Sequence, residues 1–414
     1  MMGRNRRQRE REKQTILIPN MLPLHFQLFV KMFDRHGYDV RLLQNEGPNV
    51  VRMGLESVHN DTCYPALLVI GQFLDALRSG EYDLNNTALI ITQTGGGCRA
   101  SNYIHLLRKA LKKNGLERIP VYSLNFSGLD GKQGFSLTLG MLRELLAEIA
   151  LADTLMLLNG YVMPYEITKG DCQRETDRWM AKLKDLIGER GIAKRSEVSE
   201  LMREMVRDFE RIPVHAQERI KVGIVGEIYV KYASLANNHL VDFLMDQGCE
   251  VMVPGLMNFL IFKVDNRLID IELYGGNPVK KAVCTALMNF LLSYEDAQQQ
   301  ALEGSRFMKP GRYNHLKELA SRVIGKGCKM GEGWLLTAEA MEMVEAGYPN
   351  IVSVQPFSCL PNHIVTKGMA RAVKEQFPQA NIAAIDYDPG ATRVNQENRI
   401  KLMLAMAERH GEAV

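Results

Sequence analysis

The stretch Ala88–Tyr103, ALIITQTGGGCRASNY, decides the fold that the rest of the chain is expected to adopt. Its first four residues form an apolar run that is typical of a buried strand in a parallel sheet. Three glycines and Cys98 follow. The spacing of Ile104, Leu107 and Leu111 then predicts an amphipathic helix. A cysteine therefore lies on a turn between a strand and a helix, which is where open α/β sheets bind ligands.

The chemistry of this turn favours a thiolate or another anionic group. Glycines allow positive φ and let a bulky group approach the backbone. The N-terminus of the following helix offers free N–H groups and a partial positive charge. The alternative is a tight turn with an incidental buried cysteine, because free cysteines are often core residues.

The same pattern occurs twice more in the chain. Val58–Ala66, VHNDTCYPA, precedes an amphipathic run, and Ile351–His363, IVSVQPFSCLPNH, joins a strand-like run to a helix-like one. Cys63, Cys98 and Cys359 thus each lie in a loop before a predicted helix. The other cysteines lack this context and are Cys172, Cys249, Cys284 and Cys328.

Length and composition indicate a soluble protein of two or three domains. The chain has 414 residues, with 46% hydrophobic and 24% charged side chains. A net charge of +3 gives no reason to expect a nucleic-acid partner. Residues 1–14 are basic without apolar periodicity, which predicts a solvated, disordered tail. We find no apolar region of a signal peptide, and we expect no later stretch to be long enough to span a bilayer.

The cysteine count indicates a reducing compartment. Seven cysteines without an export signal do not suggest a disulfide framework, so reduced thiols or metal ligands in the cytoplasm are expected. There is no CxxC pair, which excludes a zinc ribbon and the bacterial ferredoxin motif. Any metal ligands would have to come from distant loops.

Alternating strand-like and helix-like runs predict an α/β fold with two doubly wound parallel sheets. We expect a first α/β domain over 15–170, a helical linker over 171–219 and a second α/β domain over 220–414. In the first, a helix is predicted from about Leu137 to Leu151, followed by a separate apolar run, Thr154–Leu158. In the second, the methionine-rich segment Met257–Leu292 is predicted to be helical.

Two glycine-containing segments do not match known nucleotide motifs. KVGIVGEIY, residues 221–229, lacks the G-x-G-x-x-G fingerprint, so nicotinamide binding is not supported. KGCKMGEGWLL, residues 326–336, is not a phosphate-binding loop, and the chain has none elsewhere. Glu227 at the predicted strand end could still contact a ligand, with a simple strand–loop turn as the alternative.

Three thiolates from three loops suit an iron–sulfur cubane with one iron left open. A complete set of four cysteines would instead indicate plain electron transfer. An open iron can act as a Lewis acid toward a substrate oxygen and can also pass an electron. Two alternatives remain open: a nucleophilic cysteine with His363 or His59 as its base, and a Cys₃His zinc site.

Six segments together resemble the 2-hydroxyacyl-CoA dehydratase superfamily, and the nearest branch is the component found beside, or fused to, the acyl-CoA dehydratase activase ATPase. The segments are HNDTCYPA, TQTGGGCRASNY, KVGIVGEIYVKYASLANN, GEGWLLTAE, VQPFSCLPNHIVTKGM and IDYDPGATRVNQENRIKLML. The resemblance spans the chain after the basic tail. It implies tandem Rossmann-like domains and an oxygen-sensitive [4Fe-4S] cluster on Cys63, Cys98 and Cys359.

The resemblance also implies an activity. In members of this superfamily a separate ATPase drives one low-potential electron into the cluster, and a ketyl radical formed from a 2-hydroxyacyl-CoA then loses water. This chain has no ATPase module, so an activase protein in trans is the expected partner, with a second dehydratase subunit or a homodimer as further possibilities. The expected protein is thus a cytoplasmic lyase, or a component of one, from an anaerobe, with no nucleic-acid or membrane partner.

Polar residues near the cysteines complete the predicted site. Candidates for orienting the cluster ligands, with turn formation as the alternative, are Asn60, Asp61, Gln355 and Asn362. Candidates for contacting substrate or moving protons are Glu227, Glu332 and His363. Two other functions stay open: a small-molecule reductase with a double-cubane cluster, which needs more thiolates, and a non-enzymatic electron relay or regulatory partner of the activase.

Overall fold

The computed structural model describes residues 14–93, 97–125 and 138–411, and within them the chain forms two four-stranded, all-parallel sheets. The strands are β1 Thr15–Ile18, β2 Asp39–Leu42, β3 Thr87–Gln93, β4 Val121–Asn125, β5 Lys221–Gly226, β6 Glu250–Met252, β7 Asn350–Pro356 and β8 Asn381–Tyr387. The strand orders are β2-β1-β3-β4 and β6-β5-β7-β8, so the second half repeats the order of the first. The predicted α/β fold with two parallel sheets is confirmed.

Helices connect and cover these strands. In the first half they are α1 Pro23–Arg35, α2 Pro48–Ser57, α3 Tyr64–Arg78, α4 Tyr103–Lys113, α5 Leu139–Val162, α6 Asp171–Arg190 and α7 Arg195–Glu210. In the second half they are α8 Ile228–Tyr232, α9 Ser234–Asn237, α10 Leu240–Asp246, α11 Leu256–Tyr274, α12 Pro278–Ala301, α13 Tyr313–Ser321, α14 Leu335–Glu345, α15 Leu360–Asn362, α16 Ala370–Gln376 and α17 Arg393–Gly411.

The strands at the centre of each sheet are apolar because helices cover both of their faces. Every residue of β7 is buried, as are all residues of β5 after Lys221. Val222 of β5 pairs with Val251 of β6 on one side and with Asn350 of β7 on the other. This register aligns the carboxyl ends of β5 and β7, from which two of the loops of the candidate site emerge.

Helix α5 packs against both halves of the chain. It contacts α1 of the first half and β6 of the second. Asp153 on α5 lies 2.8 Å from the ring nitrogen of the buried His25, and it accepts hydrogen bonds from the N–H groups of Leu256 and Met257 at the start of α11. One buried carboxylate therefore links elements of the two halves, while the predicted domain limits stay a prediction.

Helix α5 also corrects an expectation about membrane spans. Leu139–Tyr165 is long and apolar enough to cross a bilayer by length and composition, with a mean hydropathy of 1.4. The expectation that no stretch would reach this length was therefore wrong. However, 72% of the apolar window is buried inside the protein, which is the behaviour of the core helix of a soluble protein.

One local prediction was wrong, one was confirmed with a break, and one lies largely outside the described residues. Thr154–Leu158 is not a separate element but continues α5, since no helix-breaking residue precedes it. Met257–Leu292 is helical as predicted, but it forms two helices, because the glycine pair after Tyr274 ends α11 and Pro278 begins α12. Residues 1–13 of the predicted tail 1–14 are not described, and the same holds for residues 94–96 of the glycine turn.

Candidate thiol site

The three predicted cysteines occupy equivalent places at the ends of secondary-structure elements. Cys63 directly precedes α3, Cys98 lies between β3 and the 3₁₀ turn Arg99–Asn102, and Cys359 lies between β7 and α15. All three are free and half-buried. All three thus lie directly before a helical segment, as predicted, although Cys63 follows the helix α2 whereas Cys98 and Cys359 follow strands.

The three thiols lie in a common electrostatic environment. Burial raises the pKa of all three, and the charge of Glu227 adds to the shift of each, after that of Glu332 for Cys98 and Cys359. Such interactions fall off with distance, so the three thiols lie in the same region of the protein as these carboxyl groups. Cys63 and Cys359 are 296 residues apart in the sequence.

Each thiol is held in its neutral form by its surroundings. Burial, followed by the charge of Glu227, raises the pKa of Cys63 to about 12, although the Tyr103 hydroxyl lies 3.2 Å from its Sγ. Burial also raises the pKa values of Cys98 and Cys359. A bound cation reverses this preference, because a coordinating thiol is deprotonated by the metal charge. These thiols would therefore release protons on binding a metal.

Glu227 and Glu332 form a buried carboxyl pair beside the thiols. An Oε2 atom of Glu227 accepts from the Val230 N–H at 2.8 Å and caps α8, and Oε1 of Glu332 accepts from the Ile228 N–H at 3.0 Å. Burial, then the charge of Glu332, raises the pKa of Glu227 to about 8. Glu227 therefore carries a proton at neutral pH, close to the thiols.

The raised pKa of Glu227 predicts a pH-dependent stability that Glu227→Gln removes. Because the pKa rises from 4.5 to about 8 on folding, the contribution is complete below pH 4.5 and is lost as the pH rises through 8. The unfolding free energy of Glu227→Gln relative to that of wild type should therefore rise by about 4 kcal/mol between pH 5 and pH 9. Denaturant unfolding of the metal-free protein measures this. The exposed Glu318→Gln should show no such gain, and parallel pH profiles of wild type and Glu227→Gln would contradict the assignment.

A fourth loop, Cys328–Gly333, lies against the loops of Cys98 and Cys359. A Cβ atom added to Gly331 would lie 3.0 Å from the Pro361 side chain and 4.0 Å from the Sγ of Cys98. A Cβ atom added to Gly97 would lie 2.7 Å from the terminal methyl of Met330. The loop thus fits between the loops of Cys98 and Cys359, and it carries Glu332 into the site.

Lys263 on α11 holds this loop, and the sequence analysis missed it. Its Nζ donates to the carbonyl oxygen of Gly331 at 2.5 Å. Burial lowers the pKa of Lys263, while the charges of Glu332 and Cys98 act in the opposite direction. The available signal was a single cation inside the apolar run Leu256–Val264. A partly buried ammonium group near thiols and carboxyls partly offsets their negative charge.

Replacing Lys263 by methionine should loosen the loop without unfolding the protein. Methionine fills a similar volume but cannot donate to Gly331. Hydrogen–deuterium exchange of the amides that close the loop, those of Gly333 and Trp334, should accelerate by about tenfold, which corresponds to one lost charge-assisted hydrogen bond. Lys263→Arg should restore slow exchange. A matched control is Lys317→Met, which removes a lysine bonded to Asp265 on the same helix. Equal exchange in all variants would rule out the anchoring role.

Of the predicted polar residues, Asn362 contacts a thiol, whereas Gln355 and His363 contact the carboxylate of Asp386. Asn362 donates to the Sγ of Cys359 at 3.3 Å, and its Oδ1 is buried without a partner among the described residues. Gln355 donates to Asp386 at 2.7 Å, and a ring nitrogen of His363 lies 3.4 Å from the same carboxylate. The other ring nitrogen of His363 bonds the carbonyl of Cys359 rather than a thiol. Asp386 was not predicted.

Asn60 and Asp61 are exposed, and within the described part of the chain neither side chain is hydrogen-bonded to a thiol. The backbone of this segment still connects two loops of the site. Arg99 donates to the carbonyl oxygen of Asp61 at 3.0 Å, which ties the loop of Cys98 to the loop of Cys63. Their placement favours the turn-forming alternative for both side chains.

The spacing of the candidate ligands bears on the kind of metal. Among the described residues, no three or more His, Cys, Asp or Glu side chains lie close enough to hold one metal ion. This gives no support to the Cys₃His zinc alternative, which needs four donors around one ion. A four-iron cluster binds each thiolate to a different iron, so its ligands are spaced more widely. Three thiols are the donor chemistry that such a cluster takes, and the cluster itself stays a prediction.

Comparison with known proteins does not assign a family. No family model matches the sequence, and no curated protein matches it significantly. The function is therefore inferred from the site and from the motifs that form it.

Proposed function

We propose that this chain is an iron–sulfur protein that accepts a low-potential electron from an ATP-hydrolysing activase and acts in the dehydration of a 2-hydroxyacyl-CoA. The observation that carries the proposal is that the loops of the three thiols are linked: Arg99 donates to the carbonyl oxygen of Asp61, and the loop of Gly331 lies against Pro361 and the Sγ of Cys98. Cys63, Cys98 and Cys359 would hold a [4Fe-4S] cluster. The repeated strand order of the two parallel sheets supports a pair of Rossmann-like domains.

The donor set determines what kind of cluster suits the site. Three protein thiolates leave one of four irons without a cysteine ligand. When bound, such a cluster supplies one-electron chemistry and a Lewis-acidic iron. The protein would be cytoplasmic, because reduced thiols and an oxygen-sensitive cluster require a reducing compartment.

Residues of this chain would supply protons to the substrate and shield the cluster from water. Glu227 holds a proton at neutral pH and lies near the thiols, so its carboxyl group can protonate a departing hydroxyl group. The loop Cys328–Gly333 shields one side of the site. Exposed apolar side chains surround the loops of Cys359 and Gly331 and are available to contact an acyl chain or the activase, namely Met330, Phe357, Leu360 and Ile364.

Anaerobic purification followed by iron and sulfide analysis and electron paramagnetic resonance tests the proposal. About four irons per chain are expected, whereas about eight would indicate a double cubane. Absence of iron and sulfide after anaerobic reconstitution would contradict the proposal. Turnover of a 2-hydroxyacyl-CoA with an activase and ATP under anoxia separates a dehydratase from an electron relay, which would accept the electron without consuming the thioester.

A further inference from the structure

The segment around Cys359 contains two unusual backbone conformations. Ser358, directly before Cys359, has a φ of +60°, which a residue other than glycine adopts only at a cost in free energy. Further along, His363–Lys367 forms a single π-helical turn, in which the N–H of Gly368 donates to the carbonyl oxygen of His363 at 2.9 Å. Such turns are rare and frequently lie at functional sites. Strained conformations persist only where the surrounding contacts hold them.

Asp386 on β8 contacts both ends of this π-helical turn. Its Oδ1 lies 3.4 Å from Nε2 of His363, and its Oδ2 lies 3.7 Å from Nζ of Lys367. The other ring nitrogen of His363, Nδ1, donates to the carbonyl oxygen of Cys359 at 2.9 Å, because a carbonyl oxygen can only accept. The carboxylate of Asp386 is therefore connected through His363 to the backbone of Cys359.

The sheet holds Asp386 itself in a fixed position. Asp386 is in register with Gln355 of β7, whose Nε2 donates to Oδ1 of Asp386 at 2.7 Å. The carbonyl oxygen of Asp386 accepts from Nε2 of Gln396 on α17 at 3.0 Å. The next residue, Tyr387, accepts the N–H of Phe357 at 2.9 Å, so the same strand also holds the start of the Cys359 loop. A carboxylate on a fixed strand can thus anchor the irregular segment beside it.

We propose that Asp386 is a positioning residue that fixes the place of the Cys359 thiol relative to the other two thiols. The role is indirect, because within the described part of the chain no hydrogen bond joins Asp386 to a thiol. A ligand that is already in place avoids the entropy cost of ordering when a metal group binds. The inference rests on the proposed function in one respect, that Cys359 is a cluster ligand.

Alkylation of the metal-free full chain by iodoacetamide, quantified at each cysteine by mass spectrometry, tests this role. Asp386→Ala should raise the alkylation rate of Cys359 by about fivefold, since the loss of three contacts lets its segment open more often. The rate of Cys63 should not change, because Asp386 does not hold its loop. Asp386→Glu keeps a carboxylate at the same position of the strand and should restore slow alkylation of Cys359.

Two further variants separate the positioning role from a general loss of stability. Asp208→Ala is the matched control, because this carboxylate is 20% exposed and also pairs with two cations, Arg178 and Arg211. It should leave the rate of Cys359 unchanged. Lys367→Met removes a single contact at a side chain that is 49% exposed, so the protein should stay folded while Cys359 reacts about twofold faster.

Unchanged alkylation of Cys359 in Asp386→Ala, or equal acceleration of Cys63 and Cys359, would overturn the inference. The iron content after anaerobic reconstitution separates it from the proposed function. We expect wild type to bind iron and Asp386→Ala to bind it about tenfold more weakly. If wild type binds no iron and Asp386→Ala still accelerates alkylation of Cys359 alone, the proposed function fails and the positioning role stands. If wild type binds iron and the alkylation rates do not change, only the inference about Asp386 fails.

Discussion

Replacing Cys98 by alanine is expected to remove most of the iron and sulfide from the anaerobically purified protein. In the proposed site Cys98 would supply one of three thiolates, and its loop contacts the loop Cys328–Gly333 through Gly97 and Met330. Changing a group that only orients a metal ligand typically costs 10–100-fold in metal affinity, so removing the ligand itself should cost more than about 100-fold. The characteristic paramagnetic signal of the reduced cluster should be lost in parallel.

The matched control for this experiment is Cys249→Ala. Cys249 is a free cysteine that is fully buried at the start of β6, away from the three loops, so its loss should leave the iron content unchanged. Cys63→Ala and Cys359→Ala should behave like Cys98→Ala because each removes an equivalent thiolate. Full retention of iron by Cys98→Ala, with a normal melting temperature, would exclude this thiol from the site.

The sheets could be predicted from the sequence because their strands are short apolar runs bounded by turn residues. The segments Lys221–Val225 and Ile351–Val354 lie within β5 and β7, since central parallel strands are apolar on both faces. Boundaries inside long apolar helices were harder to predict. Thr154–Leu158 consists mainly of leucine and methionine, which favour helices, and no helix-breaking residue precedes it, so it continues α5.

The cysteine loops could also be predicted, because each lies next to a strand or helix end that is visible as a change in hydrophobic period. The residues that support them could not. Lys263 lies in an apolar helix and reaches the site only through Gly331, and Asp386 lies in the last strand and contacts Gln355. Both contacts join segments that are distant in the sequence, so no local pattern reports them.

Gly226→Ala is expected to lower the free energy of unfolding by more than about 4 kcal/mol, an effect seen for substitutions with a severe steric clash. Gly226 is the last residue of β5, and its φ is +141°. A Cβ atom at this position would lie 1.9 Å from the carbonyl oxygen of Val354. That oxygen cannot move away freely, because it accepts the N–H of Glu227 at 3.0 Å and belongs to the buried strand β7.

The clash at Gly226 also bears on the site, because the two strands it would separate carry Glu227 and the loop of Cys359. Chemical denaturation measures the loss of stability, and the iron content of the reconstituted variant measures the loss of geometry. Gly304→Ala is the matched control, since Gly304 also has a positive φ, +72°, but nothing lies within 4 Å of an added Cβ. It should cost only about 1–2 kcal/mol of backbone strain. If Gly226→Ala lowers the free energy of unfolding no more than Gly304→Ala does, then the close contact between β5 and β7 does not position Glu227 beside the thiols.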